Sequence, residues 1–401
     1  MSVSKLADSI KESMTLAITA KAKKLKAEGK SIIGFTAGEP DFDTPDLVKD
    51  SAKKAIDIGF TKYTPASGMP ELKNAICEKF LNENGVSYEP NQIVISSGAK
   101  SSLYHAFLAI VNPGDEVIIP SPYWLTYEEQ VKLAGGVCVF VDTNNSGYKL
   151  TKELFEKNIT PRTKCVIINS PNNPTGVVYS REDLKDIAEV AVKNGIYVIS
   201  DEIYEKLIYG VEHVSIASLG DDIKDKTIII NGMSKAFSMT GWRIGYSASN
   251  VQIAKAMSNI QSHTTSNACS ISQYASVTAL KEAEQFSVDS RNIFAARRLL
   301  IIEFAKKLKD VTYIEPQGAF YLFLNVSEYY GNKINGKVIE NSIDFANALL
   351  DYGVAVIPGK PFGDDNCIRL SYAISEVDIV NGFDRIDKFL KKLSGASANN
   401  N

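Results

Sequence analysis

A chain of 401 residues is too long for one comfortable hydrophobic core and implies about two to three structural units. Its 44% apolar and 23% charged residues exclude a disordered or membrane-spanning composition. Lys plus Arg total 44 against 47 Asp plus Glu, so no global field gathers nucleic acid or an anionic membrane, and any anion site must be local.

The five cysteines (Cys77, Cys138, Cys165, Cys269, Cys367) are odd in number, far apart and without a C-x-x-C pair. Reduced thiols and a cytoplasmic location are expected, rather than a disulfide framework or a zinc site. Asp8 and Glu12 interrupt the N-terminal lysines and no continuous apolar stretch follows, which argues against a secretory or transit segment. The longest apolar runs, Val117–Ile119 and Ile228–Ile230, are too short to span a bilayer.

In chain order, the first forty or so residues predict a basic helix and the loop Thr36-Ala37-Gly38-Glu39-Pro40-Asp41-Phe42. Strand-like runs follow at 92–96, 116–119, 137–141, 165–169, 197–200 and 227–231. Between them lie helical segments such as 101–111, 181–194 and 251–262. Ser180 is placed to cap the helix at 181–194. This alternation predicts an α/β fold, a mostly parallel central sheet flanked by helices. From about Arg291 the texture changes to a long charged helix, short apolar runs at 319–325, 354–357 and 368–372, and a polar insertion at 329–337. That reads as a smaller α+β unit. The expected division is a large unit over 46–295, a small unit built from 1–45 and 296–393, and a disordered Ser-, Ala- and Asn-rich tail over 394–401.

Each predicted strand of the large unit ends in Gly, Ser, Asn or Asp, on the side where open α/β sheets bind ligands. Four of these ends, with one further aromatic, carry candidate chemistry. Asn231 to Gly245 holds Lys235 in a small-residue turn with Arg243 eight residues on. Partial burial and a neighbouring cation there would lower the lysine pKa, as a Schiff-base amine requires, and Arg243 matches phosphate oxygens. The alternative is a solvated surface lysine. Asp201, in Ser200-Asp201-Glu202-Ile203-Tyr204, could face a pyridine nitrogen, with Tyr204 donating to a ring hydroxyl; a helix N-cap is the alternative for Asp201. Asn173, in Asn172-Asn173-Pro174-Thr175-Gly176, could offer its amide to a ligand oxygen or simply belong to a rigid turn. Ser97-Gly98-Ala99-Lys100 passes from strand to helix and suits an anion at unpaired backbone N–H groups. Trp124 could stack on a flat ring or pack in the core. His105, His213 and His263 lack metal-ligand spacing, no metal is expected, and neither H-E-x-x-H nor G-x-S-x-G occurs.

As an ordered set these motifs, with Ala37 to Phe42, Lys62-Tyr63, Ser121-Pro122-Tyr123-Trp124 and Arg369-Leu370-Ser371-Tyr372, give the chain its likeness. From about Leu16 to Leu390 it resembles the class I, fold-type I aminotransferases that use pyridoxal 5'-phosphate, and among them the bacterial and plastid aspartate branch. The resemblance implies that Lys235 forms the Schiff base to the cofactor, Asp201 pairs with the pyridine nitrogen, and Asn173 and Tyr204 bond the ring hydroxyl. It further implies that Gly98, Ala99, Lys100, Ser234 and Arg243 surround the phosphate end and that Trp124 stacks on the ring. Tyr63 would reach in from the neighbouring subunit of a homodimer. Arg369 would bind the substrate α-carboxylate with help from Asn173 and the Gly38 backbone, the partners being small amino acids and 2-oxo acids. Two positions depart from the pattern. Gly232 stands where some members place a phosphate-binding serine, leaving backbone, Ser234 or Ser238, and no counterpart is found for the arginine with which animal-type members read the distal carboxylate. Lys100 is the candidate for that second role. The expected reaction moves the amino group of L-aspartate to 2-oxoglutarate in two half-reactions; prephenate or an aromatic amino acid on the same scaffold is the alternative, and a catalytically silent binding protein a remote one.

Overall fold

The computed structural model describes residues 3–398. Seven strands form its main sheet: β1 (Ile93–Ser96), β2 (Glu116–Ser121), β3 (Val137–Asp142), β4 (Thr163–Asn169), β5 (Tyr197–Asp201), β6 (Thr227–Gly232) and β7 (Gly245–Ala248). Their order across the sheet is β1-β7-β6-β5-β4-β2-β3. β7 is antiparallel to both neighbours and the other pairings are parallel. The sequence reading finds six of these strands. β7 escapes it because four residues directly after a functional loop leave no apolar run to recognise.

The central strands are apolar on both faces because helices cover both. Ile167, Ile199 and Ile230 pack with Leu103, Phe107 and Met257, from the helices Ala99–Ile110 and Val251–Thr264. Val166, Ile168 and Val198 point the other way, onto Leu184, Ile187 and Ala191 of the helix Arg181–Asn194. This is the two-residue alternation of a pleated strand, and each such side chain contributes roughly 1.5–3 kcal/mol by leaving water. The helix over 181–194 begins where predicted. Ser180 Oγ accepts from the Asp183 N–H at 3.2 Å, while the Asp183 carboxylate accepts from the Ser180 N–H at 2.8 Å.

A second, antiparallel sheet is built from Ile357–Pro358, Cys367–Ser371, Tyr321–Asn325 and Thr312–Tyr313. Its core takes in Phe294, Ile301, Leu322, Leu324, Ile368 and Leu370, together with Ile33 and Phe35 from the start of the chain. Ile33–Gly34 pairs in parallel with Val354–Ala355, so the two chain ends share one hydrophobic cluster. The polar insertion folds as a small hairpin, Lys333–Ile334 against Lys337–Val338, turning through Asn335 and Gly336 at φ 50° and 80°.

The last helix, Glu376–Ala398, runs on through Ser394 and Gly395 into the stretch where a disordered tail is expected, and 399–401, the end of that stretch, lie outside the described residues. Leu390 and Leu393 anchor the preceding turn in the core, and extending an existing helix forms one hydrogen bond per residue fixed, so the polar residues follow it.

Candidate active site

The C-terminal ends of the parallel strands open on a cavity of about 550 Å³ between the two sheets. Most of the predicted site residues line it: Gly38, Ala99, Lys100, Trp124, Asn173, Asp201, Tyr204, Ser234, Lys235, Arg243 and Arg369. Gly98 lies just beneath Arg243, and Tyr63 stands elsewhere, 91% exposed.

Lys235 follows β6 in a turn and its ammonium donates to the Gly38 carbonyl at 2.5 Å. Burial, assisted by Arg369 and Arg243, outweighs the pull of Glu39 and Asp201 and brings its pKa down to about 8. It is therefore not the freely solvated lysine that a single-residue reading favours. Asp201 closes β5 and is 3% exposed. Burial pushes its pKa up to about 6, even though the Tyr127 hydroxyl donates to Oδ2 at 2.6 Å and the Ile203 N–H to Oδ1 at 3.3 Å. The N-cap alternative for Asp201 fails, because residues 203–206 form turns and the next helical turn begins at Ile216.

Arg369, on the second sheet, is 1% exposed. Its guanidinium donates to Asn173 Oδ1 at 2.9 Å and to the Thr36 carbonyl at 3.2 Å, and lies 4.4 Å from the Tyr321 ring centre. Nε has no partner among the described residues, and no carboxylate pairs with the group. A buried guanidinium without a counter-ion is costly, which marks an anion-binding position. Asn173 is fixed in turn by Asn169, whose Oδ1 accepts from its N–H at 2.8 Å.

At the opposite wall, Gly98 at φ 88° leads into the helix Ala99–Ile110. A Cβ on Gly98 would stand 2.3 Å from Arg243 Nη2, and one on Gly245 would stand 2.0 Å from the Ala99 nitrogen. Two glycines thus let Arg243 and β7 press against an uncapped helix N-terminus, leaving a cationic cradle of backbone N–H groups. Gly232 is explained the same way: a Cβ there would meet the Ile244 carbonyl at 2.9 Å. Ser234 lines the cavity, whereas Ser238 faces a separate hollow beside Trp242, its buried hydroxyl unpartnered among the described residues. Lys100 Nζ lies 4.9 Å from the Trp124 ring centre and has no ion pair among the described residues; burial, then Arg243, lowers its pKa.

Sequence reasoning misses Tyr127, which holds Asp201, and Tyr321, whose hydroxyl lies 2.8 Å from that of Tyr204. The basic helix expected near the start of the chain is Met14–Ala27, but its place against the cavity, which one face of it closes, is not legible in the sequence. A weak signal existed for Tyr127, three residues after Trp124 on the first turn of a helix. None existed for Tyr321, an ordinary strand aromatic. Behind the site, Glu205 accepts from Asn231 Nδ2 at 2.7 Å and Asn84 Nδ2 at 2.9 Å and pairs with Lys79. Burial alone would raise its pKa, but Lys79 and His213 prevail and hold it at about 2. Glu202, Glu205 and His213 bring ligand-type atoms within 4.8 Å of one another, yet Lys79 already serves Glu205 as counter-ion.

A lysine amine of lowered pKa, a deeply buried carboxylate, an anion cradle and a separate buried guanidinium together define a site for carbonyl and amine chemistry on an anionic substrate. The family description "aminotransferase class I and II" matches residues 30–386, and the chain belongs to that family. It is 50% identical over 382 residues to an aspartate aminotransferase of Bacillus sp. (strain YM-2), covering 94% of this chain and 96% of that one. A probable aspartate/prephenate aminotransferase of Aquifex aeolicus (strain VF5) is 46% identical, over 96% and 97% of the two chains. Among solved structures, the aspartate aminotransferase of Rhizobium meliloti superposes with a TM-score of 0.94 at 42% identity, over 98% of this chain and 100% of that one. That of Thermus thermophilus with maleate gives 0.92 at 40%, over 97% and 99%.

Proposed function

We propose that the enzyme transfers the amino group of L-aspartate to 2-oxoglutarate, giving oxaloacetate and L-glutamate, with pyridoxal 5'-phosphate as its cofactor. The observation that carries the substrate assignment is the pair of cations without carboxylate partners, Arg369 deep in the cavity and Lys100 beside Trp124. Two separated anion readers suit a dicarboxylate. The Thermus relative solved with maleate, itself a four-carbon dicarboxylate, supports this reading.

The residues fit the cofactor. The space a Cβ would fill at Gly98, beside Arg243 and the helix N-terminus, suits a phosphate; buried Asp201 suits a protonated ring nitrogen; Asn173 and Tyr204 reach the same cavity wall with hydrogen-bonding groups, and Trp124 offers a flat face. When bound, the cofactor supplies a carbonyl for the amino group and a ring that accepts electrons from the substrate Cα. Asp201 would face the ring nitrogen and hold its proton. Tyr127 and the Ile203 N–H keep Asp201 ionised against its burial. Lys235, with a pKa of about 8, would hold and move the substrate Cα proton at Nζ. Arg369 clamps the α-carboxylate as a fork, with Asn173 held beside it, and Lys100 meets the distal carboxylate as a point charge.

The same reading makes the functional unit a homodimer. Tyr63, 91% exposed, with Ile56 and Ile58 at 55% and 59%, forms a surface for the partner subunit to cover. The cytoplasm is the proposed location; among the described residues no helix is long and apolar enough to cross a membrane. A second substrate, prephenate, is favoured by relatives described as aspartate/prephenate aminotransferases. Single-turnover spectra of the holoenzyme with L-aspartate, arogenate and L-phenylalanine test both readings, for wild type and Lys100→Ala. Aspartate should convert fastest, and the variant should lose dicarboxylates selectively. A spectrum that excess L-aspartate leaves unchanged would overturn the assignment.

A further inference from the structure

The helix Met14–Ala27 carries four lysines and no acidic residue, in a chain whose net charge is −3. Its cavity face is formed by Thr15, Leu16, Thr19, Ala22, Lys23 and Lys26, the spacing of one helical stripe. Lys23 and Lys26 end that stripe at the mouth. Both are exposed and neither has an ion pair among the described residues, whereas Lys21 of the same helix hydrogen-bonds Asn347. Six cationic side chains line the cavity (Lys23, Lys26, Lys100, Lys235, Arg243, Arg369) against two carboxylates, Glu39 and Asp201. A cleft lined by one sign of charge focuses the field and raises the local concentration of the opposite ion. Lysines in a last helical turn also complement the helix dipole, but that benefit is indifferent to which face they occupy. Here two like charges share the cavity face at i and i+3, a mildly destabilising spacing.

We propose that Lys23 and Lys26 act as an outer electrostatic funnel that favours entry of dianionic 2-oxo acids and dicarboxylic amino acids over uncharged ones. This rests on the dicarboxylate reading above and adds two residues outside the set assigned there to cofactor and substrate. With two charges on the ligand, two on the protein and a separation of about 10 Å in water, removing both lysines should cost about seven-fold in dianion affinity at ~10 mM ionic strength and about three-fold at ~0.1 M. A monoanion should lose about the square root of those factors, and a zwitterion of zero net charge nothing.

The test uses holoenzyme: wild type, K23Q/K26Q, K23R/K26R and, one position round the helix, K24Q. Two quantities are followed against ionic strength, succinate affinity by calorimetry and kcat/KM for 2-oxoglutarate. A salt-sensitive loss confined to K23Q/K26Q and restored by the arginines supports the funnel. A loss independent of salt, or one that K24Q reproduces, overturns it, as does no loss at all. Absence of turnover with aspartate and 2-oxoglutarate, alongside salt-sensitive succinate binding, would instead strike the proposed function and leave the funnel standing.

Discussion

Replacing Asp201 with asparagine should stabilise the cofactor-free protein while destroying its activity. The folded-state pKa of about 6 stands above the ordinary 3.8, and burial is the leading cause. The folded protein therefore holds a proton that the unfolded chain has released between about pH 4 and pH 6. Stability falls as pH rises through that window, and the cost is complete above it. The difference, at 1.36 kcal/mol per pH unit, amounts to about 3 kcal/mol at pH 7.5. Asparagine keeps the shape and an acceptor for the Tyr127 hydroxyl without a charge to desolvate. For a chain of this length the variant should melt roughly 3–4 °C higher. Glu205, held at about 2, loses its contribution only below about pH 4.5, so the two effects separate on the pH axis. Thermal denaturation of both cofactor-free proteins from pH 4 to 8 measures the effect. A variant no more stable than wild type at pH 7.5, with the same slope between pH 4 and 6, would refute the reasoning.

Three further outcomes follow from the site geometry. Arg369→Lys should lower kcat/KM for aspartate by about 10²-fold or more in steady-state assays, since a point charge cannot replace a buried fork that also holds Asn173. Gly98→Ala should weaken cofactor binding in equilibrium dialysis by at least about ten-fold, because its Cβ displaces Arg243 and the position has φ 88°. Glu205→Gln should lower the denaturation free energy by about 3 kcal/mol, seen as a fall in urea midpoint, because the buried Lys79 ammonium keeps its hydrogen bond to Asn84 Oδ1 but has, among the described residues, only the more distant Glu83 at 3.8 Å as counter-ion.

What the sequence made legible depended on whether the signal was local. β4 to β6 announce themselves as apolar runs ending in polar residues, so Asp201, Asn173 and Lys235 could be placed on one rim before any coordinates. Gly98 and Ala99 followed from a strand-to-helix turn. Arg369 lies on a different sheet, and only the family likeness brought it to the site. Tyr127 and Tyr321 were invisible for a physical reason. Each puts its hydroxyl on a partner 74 or 117 residues away, and nothing in the neighbouring sequence distinguishes such a tyrosine from one packed in a core. That the last helix continues past Leu390 and Leu393 to Ser394 and Gly395 is not legible in composition, which carries no information about a helix anchored upstream.

The loop at 36–39 shows why Arg369 and Lys235 remain available to a substrate. It gives the Thr36 carbonyl to Arg369 and the Gly38 carbonyl to Lys235, while the Glu39 carboxylate turns aside to accept from Thr240 at 2.7 Å. A carbonyl dipole satisfies a donor without neutralising its charge. Had Glu39 paired with either cation, a substrate carboxylate would have to displace a full charge in a low-dielectric pocket. Because the partners are carbonyls, an arriving carboxylate gains nearly the whole ionic interaction at Arg369 and exchanges only a neutral hydrogen bond for it. The one carboxylate that faces Lys235 from the sheet, Asp201, is itself held by Tyr127 and the Ile203 N–H, so it too leaves the amine free to react.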